Sequence, residues 1–263
     1  MSREAPARLL IATAVGCLVL ALALRAGHFD RPLFLAVNEA AWRWLPAALV
    51  SCTTILGHGL VATVLMAPAL LRAPNLLAAG LFATPVAMVL SWLPKGLIDS
   101  PRPAALLDPA CLHIVGIRLA GHNSLPSGHT LTAFLVVGVL QAARPRWPAA
   151  LAIAGVGIAV ALSRVAVGAH WPSDVLAGAG LGLLAGQAGT RLSERWPLAA
   201  RPGGRAVLTL IVLACAAALA WTDTGYPLAR PMQAVLSALG ACVAVWTLWR
   251  IWADWRATAR QPG

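Results

Sequence analysis

Three short polar stretches in an apolar chain hold the residues able to do chemistry. The first is Lys95-Gly-Leu-Ile-Asp-Ser-Pro-Arg102-Pro103, which carries two cations. The second is Leu-Pro-Ser-Gly-His-Thr, from Leu125 to Thr130. The third is Ser163-Arg164-Val-Ala-Val-Gly-Ala-His170-Trp-Pro-Ser-Asp174. In the second stretch Pro126 and Ser127 read as a helix start, with Ser127 the N-cap. The first N–H groups of such a helix have no partner within it, and the helix dipole puts positive charge behind them. Gly128 clears side-chain bulk from that spot, and His129 can give or take a proton near neutrality. The combination is an oxyanion or phosphate site with an acid–base group beside it.

The other two stretches supply what such a site needs. Lys95, Arg102 and Arg164 form a cationic clamp for a dianion, the arginines with a planar fork of donors. Two turns of helix would place Lys95 and Arg102 on one side. His170 and Asp174 are spaced so that, on a helix, the carboxylate lies over the imidazole. An aspartate in that position fixes a histidine's tautomer and frees its other nitrogen as base or nucleophile. Each stretch alone has a plainer reading: snorkelling cations, a helix cap with an incidental histidine, a capping aspartate with a surface histidine. Together they are far more specific. No metal cage is expected, because clustered cations repel Mg²⁺ and Zn²⁺ and the few acids are scattered.

The elements that must position these groups are membrane helices. The chain has 263 residues, 59% apolar and only 11% charged, with a mean hydropathy of +0.77. A soluble domain carries about a quarter charged residues. The fold class is therefore an all-α, polytopic membrane helix bundle. The net charge of +11 is spread as single arginines at the ends of apolar runs, which argues against nucleic acid as a partner. Five cysteines (Cys17, Cys52, Cys111, Cys215 and Cys242) show neither disulfide nor zinc spacing, and most read as small core residues.

Eight spans are expected: about Leu9–Leu24, Pro46–Leu71, Leu76–Leu93, Thr130–Ala143, Ala149–Leu162, Val175–Ala188, Ala206–Trp221 and Met232–Trp249. The first reads as a transmembrane helix in preference to a cleaved signal peptide; both place Arg25 across the membrane. Arg25 to Leu45, with Trp42 and Trp44, is amphipathic and reads as interfacial. The fifth and sixth runs are short, so their polar ends should continue as helix into the site. With a cytoplasmic N-terminus, 12 of the 20 Lys and Arg residues fall inside and 8 outside. That bias puts both termini in the cytoplasm and the three polar stretches on the opposite face. Gly178, Gly182 and Gly186 line one helix face, and packing within the chain is preferred to a dimer seam.

Other polar residues are weighed against plainer roles. His122 and Asn123 are candidate headgroup contacts, although an exposed loop histidine is the simpler reading of His122. Asp99 lies between Lys95 and Arg102 and would balance their charge. His58, in the second span, is expected to be a satisfied interhelical hydrogen-bonder.

The pattern Lys-x6-Arg-Pro, then Pro-Ser-Gly-His, then Ser-Arg-x5-His-x3-Asp resembles the type 2 phosphatidic acid phosphatase (PAP2) superfamily, in particular its bacterial membrane lipid phosphatases. All three motifs match in order: Lys95, Arg102 and Pro103; Pro126 to His129; Ser163, Arg164, His170 and Asp174. The resemblance implies a six-span core, residues 1–192, followed by a basic linker, 193–205, and two additional spans, 206–263. It implies catalysis by His170 as nucleophile, Asp174 as its orienter and His129 as acid then base. Lys95, Arg102, Arg164, Ser127 and Gly128 would bind phosphate, with no cofactor and no metal. The implied partners are a lipid phosphate and the bilayer of the cell inner membrane. Candidate substrates are undecaprenyl pyrophosphate, phosphatidylglycerol phosphate, phosphatidic acid and a lipid A phosphate. Alternatives are a lipid phosphotransferase using the same site and a non-enzymatic phospholipid-binding transporter. The superfamily's haloperoxidases need vanadate and are soluble, which the composition argues against.

Overall fold

The computed structural model describes residues 4–259, with side-chain surroundings for 7–257. Arg3 and Arg260, counted above among the cytoplasmic cations, lie outside the described residues. Within them the chain is helical, without a named strand; Ser100 and Asn123 make one isolated parallel bridge. The helices are α1 (Glu4–Ala26), α2 (Asp30–Trp44), α3 (Ala47–Ile55), α4 (Gly59–Leu65), α5 (Ala69–Arg72), α6 (Pro74–Leu97), α7 (Pro103–Leu106), α8 (Gly128–Ala142), α9 (Trp147–Ala166), α10 (Pro172–Arg195), α11 (Pro202–Trp221) and α12 (Arg230–Ala259).

All eight expected spans coincide with helices, but they are not equivalent. Five helices (α1, α6, α9, α11 and α12) are long and apolar enough to cross a membrane. α8 is apolar but only 15 residues long. α10 has 24 residues, yet its glycines and its polar ends hold its hydropathy down, and much of it is buried by neighbouring helices. The second expected span is broken into α3 and α4, bent by 77°. The break falls at Leu56-Gly57-His58, where His58 takes an extended conformation (ψ 133°). A Cβ on Gly57 would come within 2.6 Å of the His129 carbonyl and 2.9 Å of the His129 Cβ. Only glycine lets the bend press this closely on the start of α8.

Gly178, Gly182 and Gly186 pack within the chain, as expected. Cβ atoms there would run into the carbonyls of Ser127, Leu131 and Leu135 respectively. The two ladders climb together, so α8 and α10 lie parallel and in close contact. Their N-termini therefore emerge side by side, and the Ser127 N–H bonds to the Asp174 carbonyl at 3.0 Å. The C-termini of α6 and α9 reach the same end, which brings all three polar stretches together. The main core lies around α6, α8, α10 and α11, with Ala78, Ala83, Val139, Ala185 and Val212 fully buried.

One correction concerns side chains. None of the five cysteines is fully buried: Cys111 and Cys242 are exposed and the rest intermediate. The apolar environment expected for them is partly lipid-facing surface, which sequence does not separate from protein core. The residues between α10 and α11 number few, since α10 runs to Arg195 and α11 starts at Pro202.

Candidate active site

Asp174 is the best-connected group in the site. α10 begins at Pro172, so His170 precedes the helix and the expected helical stacking of His170 and Asp174 is replaced by a cap. Asp174 occupies the third helical position. Its Oδ2 accepts from the Trp171 N–H at 3.0 Å and from the Ser124 hydroxyl at 2.5 Å. The same oxygen lies 3.6 Å from His170 Nδ1. Ser124 sits between them, its Oγ 3.4 Å from Nδ1. The aspartate is thus both a helix cap and the imidazole's anchor. Its other oxygen, Oδ1, has no hydrogen-bond partner among the described residues and lies 3.9 Å from Arg25 Nη1. Arg25 also donates to Ser100 Oγ at 3.2 Å.

The opposite ring nitrogen of His170 faces Arg102, whose Nη1 is 3.3 Å from Nε2. A guanidinium only donates, so Nε2 must offer its lone pair and the ring proton sits on Nδ1. His170 is 3% exposed. Burial pushes its pKa well below the usual histidine range, and Arg164, Arg102 and Lys95 push it further. All three cations singled out in the sequence therefore act on this one ring, which is neutral at pH 7.

Each cation is held differently. Arg102 does not lie two helical turns from Lys95. α6 stops at Leu97, and Arg102 is extended (ψ 161°) just before α7. It donates to the Ala169 carbonyl at 3.0 Å and to Asn123 Oδ1 at 3.3 Å. Arg164 is buried, its Nη1 donating to Thr54 Oγ1 at 2.6 Å and to the Tyr226 hydroxyl at 2.7 Å. Its Nε has no partner among the described residues. Lys95 Nζ lies 3.7 Å from where a Gly128 Cβ would stand, an ordinary contact distance, which places the ammonium beside the start of α8.

Ser127 is the N-cap residue of α8, but its side chain makes no capping bond; Thr130 Oγ1 donates to it at 3.0 Å. His129 follows in the first turn, and its Nε2 is buried without a partner among the described residues. His58 corrects the expectation of a satisfied side chain: its Nδ1 is also buried and unpartnered. The two rings meet edge to face with centroids 6.0 Å apart. His122 is exposed and pairs with Asp99 at 2.8 Å. Asp99 therefore balances a histidine and not Lys95 or Arg102, while Asn123 props Arg102.

Several contributors escaped the sequence reading: Ser124, Thr54, Tyr226, Arg25 and Asn38. Asn38 is buried, donates to the Val165 and Ala166 carbonyls at the end of α9, and accepts from the His113 N–H. Asp30 accepts from the Ser173 N–H at 2.8 Å at the start of α10. Tyr226 carried one visible signal, being the only tyrosine in the chain.

A helical membrane bundle with clustered cations and two histidines at one end defines the class: a membrane protein with a cationic polar site. The model of the PAP2 superfamily matches residues 73–198. A lipid A 1-phosphatase of Porphyromonas gingivalis is 39% identical over 77 residues, which are 27% of this chain and 17% of that protein. The chain thus spans about a sixth of that relative's length. The crystal structure of Aquifex aeolicus LpxE superposes with a TM-score of 0.56 at 24% identity, covering 64% of this chain and 96% of that one. That likeness concerns the fold.

Proposed function

We propose that the protein is a lipid phosphate phosphatase working through a phosphohistidine on His170. One observation carries this reading. His170 has its proton fixed on Nδ1 by Asp174 and Ser124, so the Nε2 lone pair points toward cations able to hold a phosphoryl group.

In the first step the phosphoryl oxygens of the substrate are held by Lys95, Arg102, Arg164 and the Gly128 N–H at the start of α8, the Ser127 N–H being taken by the Asp174 carbonyl. His170 Nε2 attacks phosphorus in line, a P–N bond forms, and the P–O bond to the lipid breaks. The leaving oxygen takes a proton from His129. The Asp174 carboxylate stabilises the positive charge that develops on His170. In the second step His129, now neutral, takes a proton from water. The water oxygen attacks phosphorus, the P–N bond breaks, and its electron pair returns to Nε2. The cations do the electrostatic work that a metal ion would otherwise do, so the reading includes metal independence, which the EDTA assay tests.

The finer assignments follow the same reading. Residues 1–192 form the catalytic core and 206–263 an addition. The excess of Lys and Arg on one side supports an inner-membrane protein with cytoplasmic termini and an active site on the outer face. Undecaprenyl pyrophosphate, phosphatidylglycerol phosphate, phosphatidic acid and a lipid A phosphate are the panel to assay. Protein purified in detergent should release phosphate with EDTA present. Loss of all activity in EDTA, or full activity in His170→Ala, would sink the mechanism.

A further inference from the structure

Next to the polar end of the site lies a space that no step above uses. A cavity of about 580 Å³ runs between α4, α6, α8 and α11, a size that encloses a drug-sized ligand. His58, Ser91, Gly128 and His129 form one end. Beyond them the walls are apolar, with Leu77, Leu81, Leu131, Leu135 and Val136 from α6 and α8. α11 closes the far side with Leu208, Ile211 and Cys215. Among the described residues lining the cavity, none is Asp, Glu, Lys or Arg. Of the three threonine hydroxyls that line it, Thr63 bonds to the Gly59 carbonyl and Thr84 to the Gly80 carbonyl, which leaves Thr132 as a single polar point on the α8 wall. Met88 and Trp92 also line it and are exposed on the outside of the bundle. Its mouth therefore faces sideways, toward lipid.

We propose that this cavity holds the hydrocarbon chain of the leaving group, and that α11 is part of the substrate site. The proposal rests on the phosphatase reading. The leaving oxygen must lie within reach of His129, so whatever it is attached to continues into the space His129 lines. That space turns apolar immediately, at Leu60, Ala62 and Leu131. The hydroxyls of a sugar would go unpaired there, which is costly, whereas a hydrocarbon is accepted. The occupant is a phosphate or diphosphate whose chain begins within a few bonds of phosphorus: a prenyl or glycerolipid phosphate, not a phosphate carried on a saccharide ring. α11 lies outside the superfamily match at residues 73–198. Tyr226, which holds Arg164, ties the same C-terminal region to the site from another side.

The test compares dioleoyl phosphatidic acid, farnesyl diphosphate, a phosphorylated glucosamine lipid and the chainless p-nitrophenyl phosphate. The full chain is assayed in detergent with Ile211→Trp, Ile211→Ala and, as control, Leu210→Trp, which alters an exposed position outside the cavity. In Ile211→Trp the kcat/KM ratio of phosphatidic acid to p-nitrophenyl phosphate should fall at least tenfold. In Leu210→Trp it should stay within twofold. Should Ile211→Trp not fold, Ile211→Ala must still move the ratio at least threefold. A phosphatidic acid with a diazirine in its acyl chain should crosslink to α11 at Leu208 to Cys215. An unchanged ratio in the Ile211 variants, crosslinks outside α4, α6, α8 and α11, or faster turnover of the glucosamine lipid than of both other lipids overturns the proposal. If the wild type hydrolyses p-nitrophenyl phosphate, such a result leaves the phosphatase reading standing; if it hydrolyses nothing, both fall.

Discussion

His170 and His129 lie near the starts of two parallel helices, yet their surroundings are opposites. Both nitrogens of His170 are engaged, one by Arg102 and one by Ser124 and Asp174. His129 leaves Nε2 buried with no partner, next to a second unpartnered histidine and an apolar cavity. An attacking atom gains from a fixed tautomer and direction, because the reaction tolerates little misplacement. A proton carrier must instead meet two different oxygens in turn, first the leaving group and then water. The difference between the two regions is what assigns the roles proposed here.

The comparison can be broken most severely at its fixed side. His170→Ala should lower kcat by on the order of 10⁴-fold or more, read as phosphate release from a lipid substrate. His129→Ala should cost roughly 10²–10⁴-fold with a lipid leaving group. The loss should be much smaller with p-nitrophenyl phosphate, whose leaving group needs no proton. Equal losses with both substrates would remove the acid role. Ser124→Ala deletes a hydrogen bond to a buried carboxylate, worth about 1.5–3 kcal/mol, so kcat should fall roughly 10- to 100-fold. Tyr226→Phe removes one of two acceptors of Arg164 and should cost about three- to tenfold, seen mainly in KM. His122→Ala should leave turnover within about twofold, because the ring is exposed and pairs with the likewise exposed Asp99.

Acidity tests the fixed side of the comparison. His170 must be neutral to attack, and burial with Arg164, Arg102 and Lys95 holds its pKa below the usual value of 6.5. Protonation therefore requires a lower pH than for an ordinary histidine. The acid limb of kcat/KM should lie below pH 6.5. Arg102→Gln removes one of the repelling cations, so the limb should move to higher pH as the rate falls. A limb that stays put would show that Arg102 does not act on the ring.

The sequence made the framework legible because each part is written locally. Apolar length marks the spans, and Pro126-Ser127-Gly128 marks the start of α8 within a residue. The glycine spacing at 178, 182 and 186 foretells a close helix pair, though not which partner takes it. What stayed hidden depends on chain meeting chain. Thr54 and Tyr226 converge on Arg164 from 110 and 62 residues away, and Ser124 reaches Asp174 across 50. The bend at Gly57 was unreadable because its cause is the His129 backbone pressing on it. The misreading of His170 and Asp174 as neighbours on one helix has a similar source. The spacing suits a helix face, but Pro172 is a first-turn residue, and the helix it opens leaves His170 outside.

The central claim is that His170, and not His129, carries the phosphoryl group. Full-length His129→Ala is mixed with p-nitrophenyl phosphate and quenched in milliseconds to seconds. Its leaving group departs without an acid, while hydrolysis of the intermediate lacks its base. Phosphate should accumulate as an acid-labile, alkali-stable adduct located by mass spectrometry at His170, and should be absent in the double variant with His170→Ala. Phosphate on any other residue, or turnover with no adduct and no loss in His170→Ala, would contradict the account.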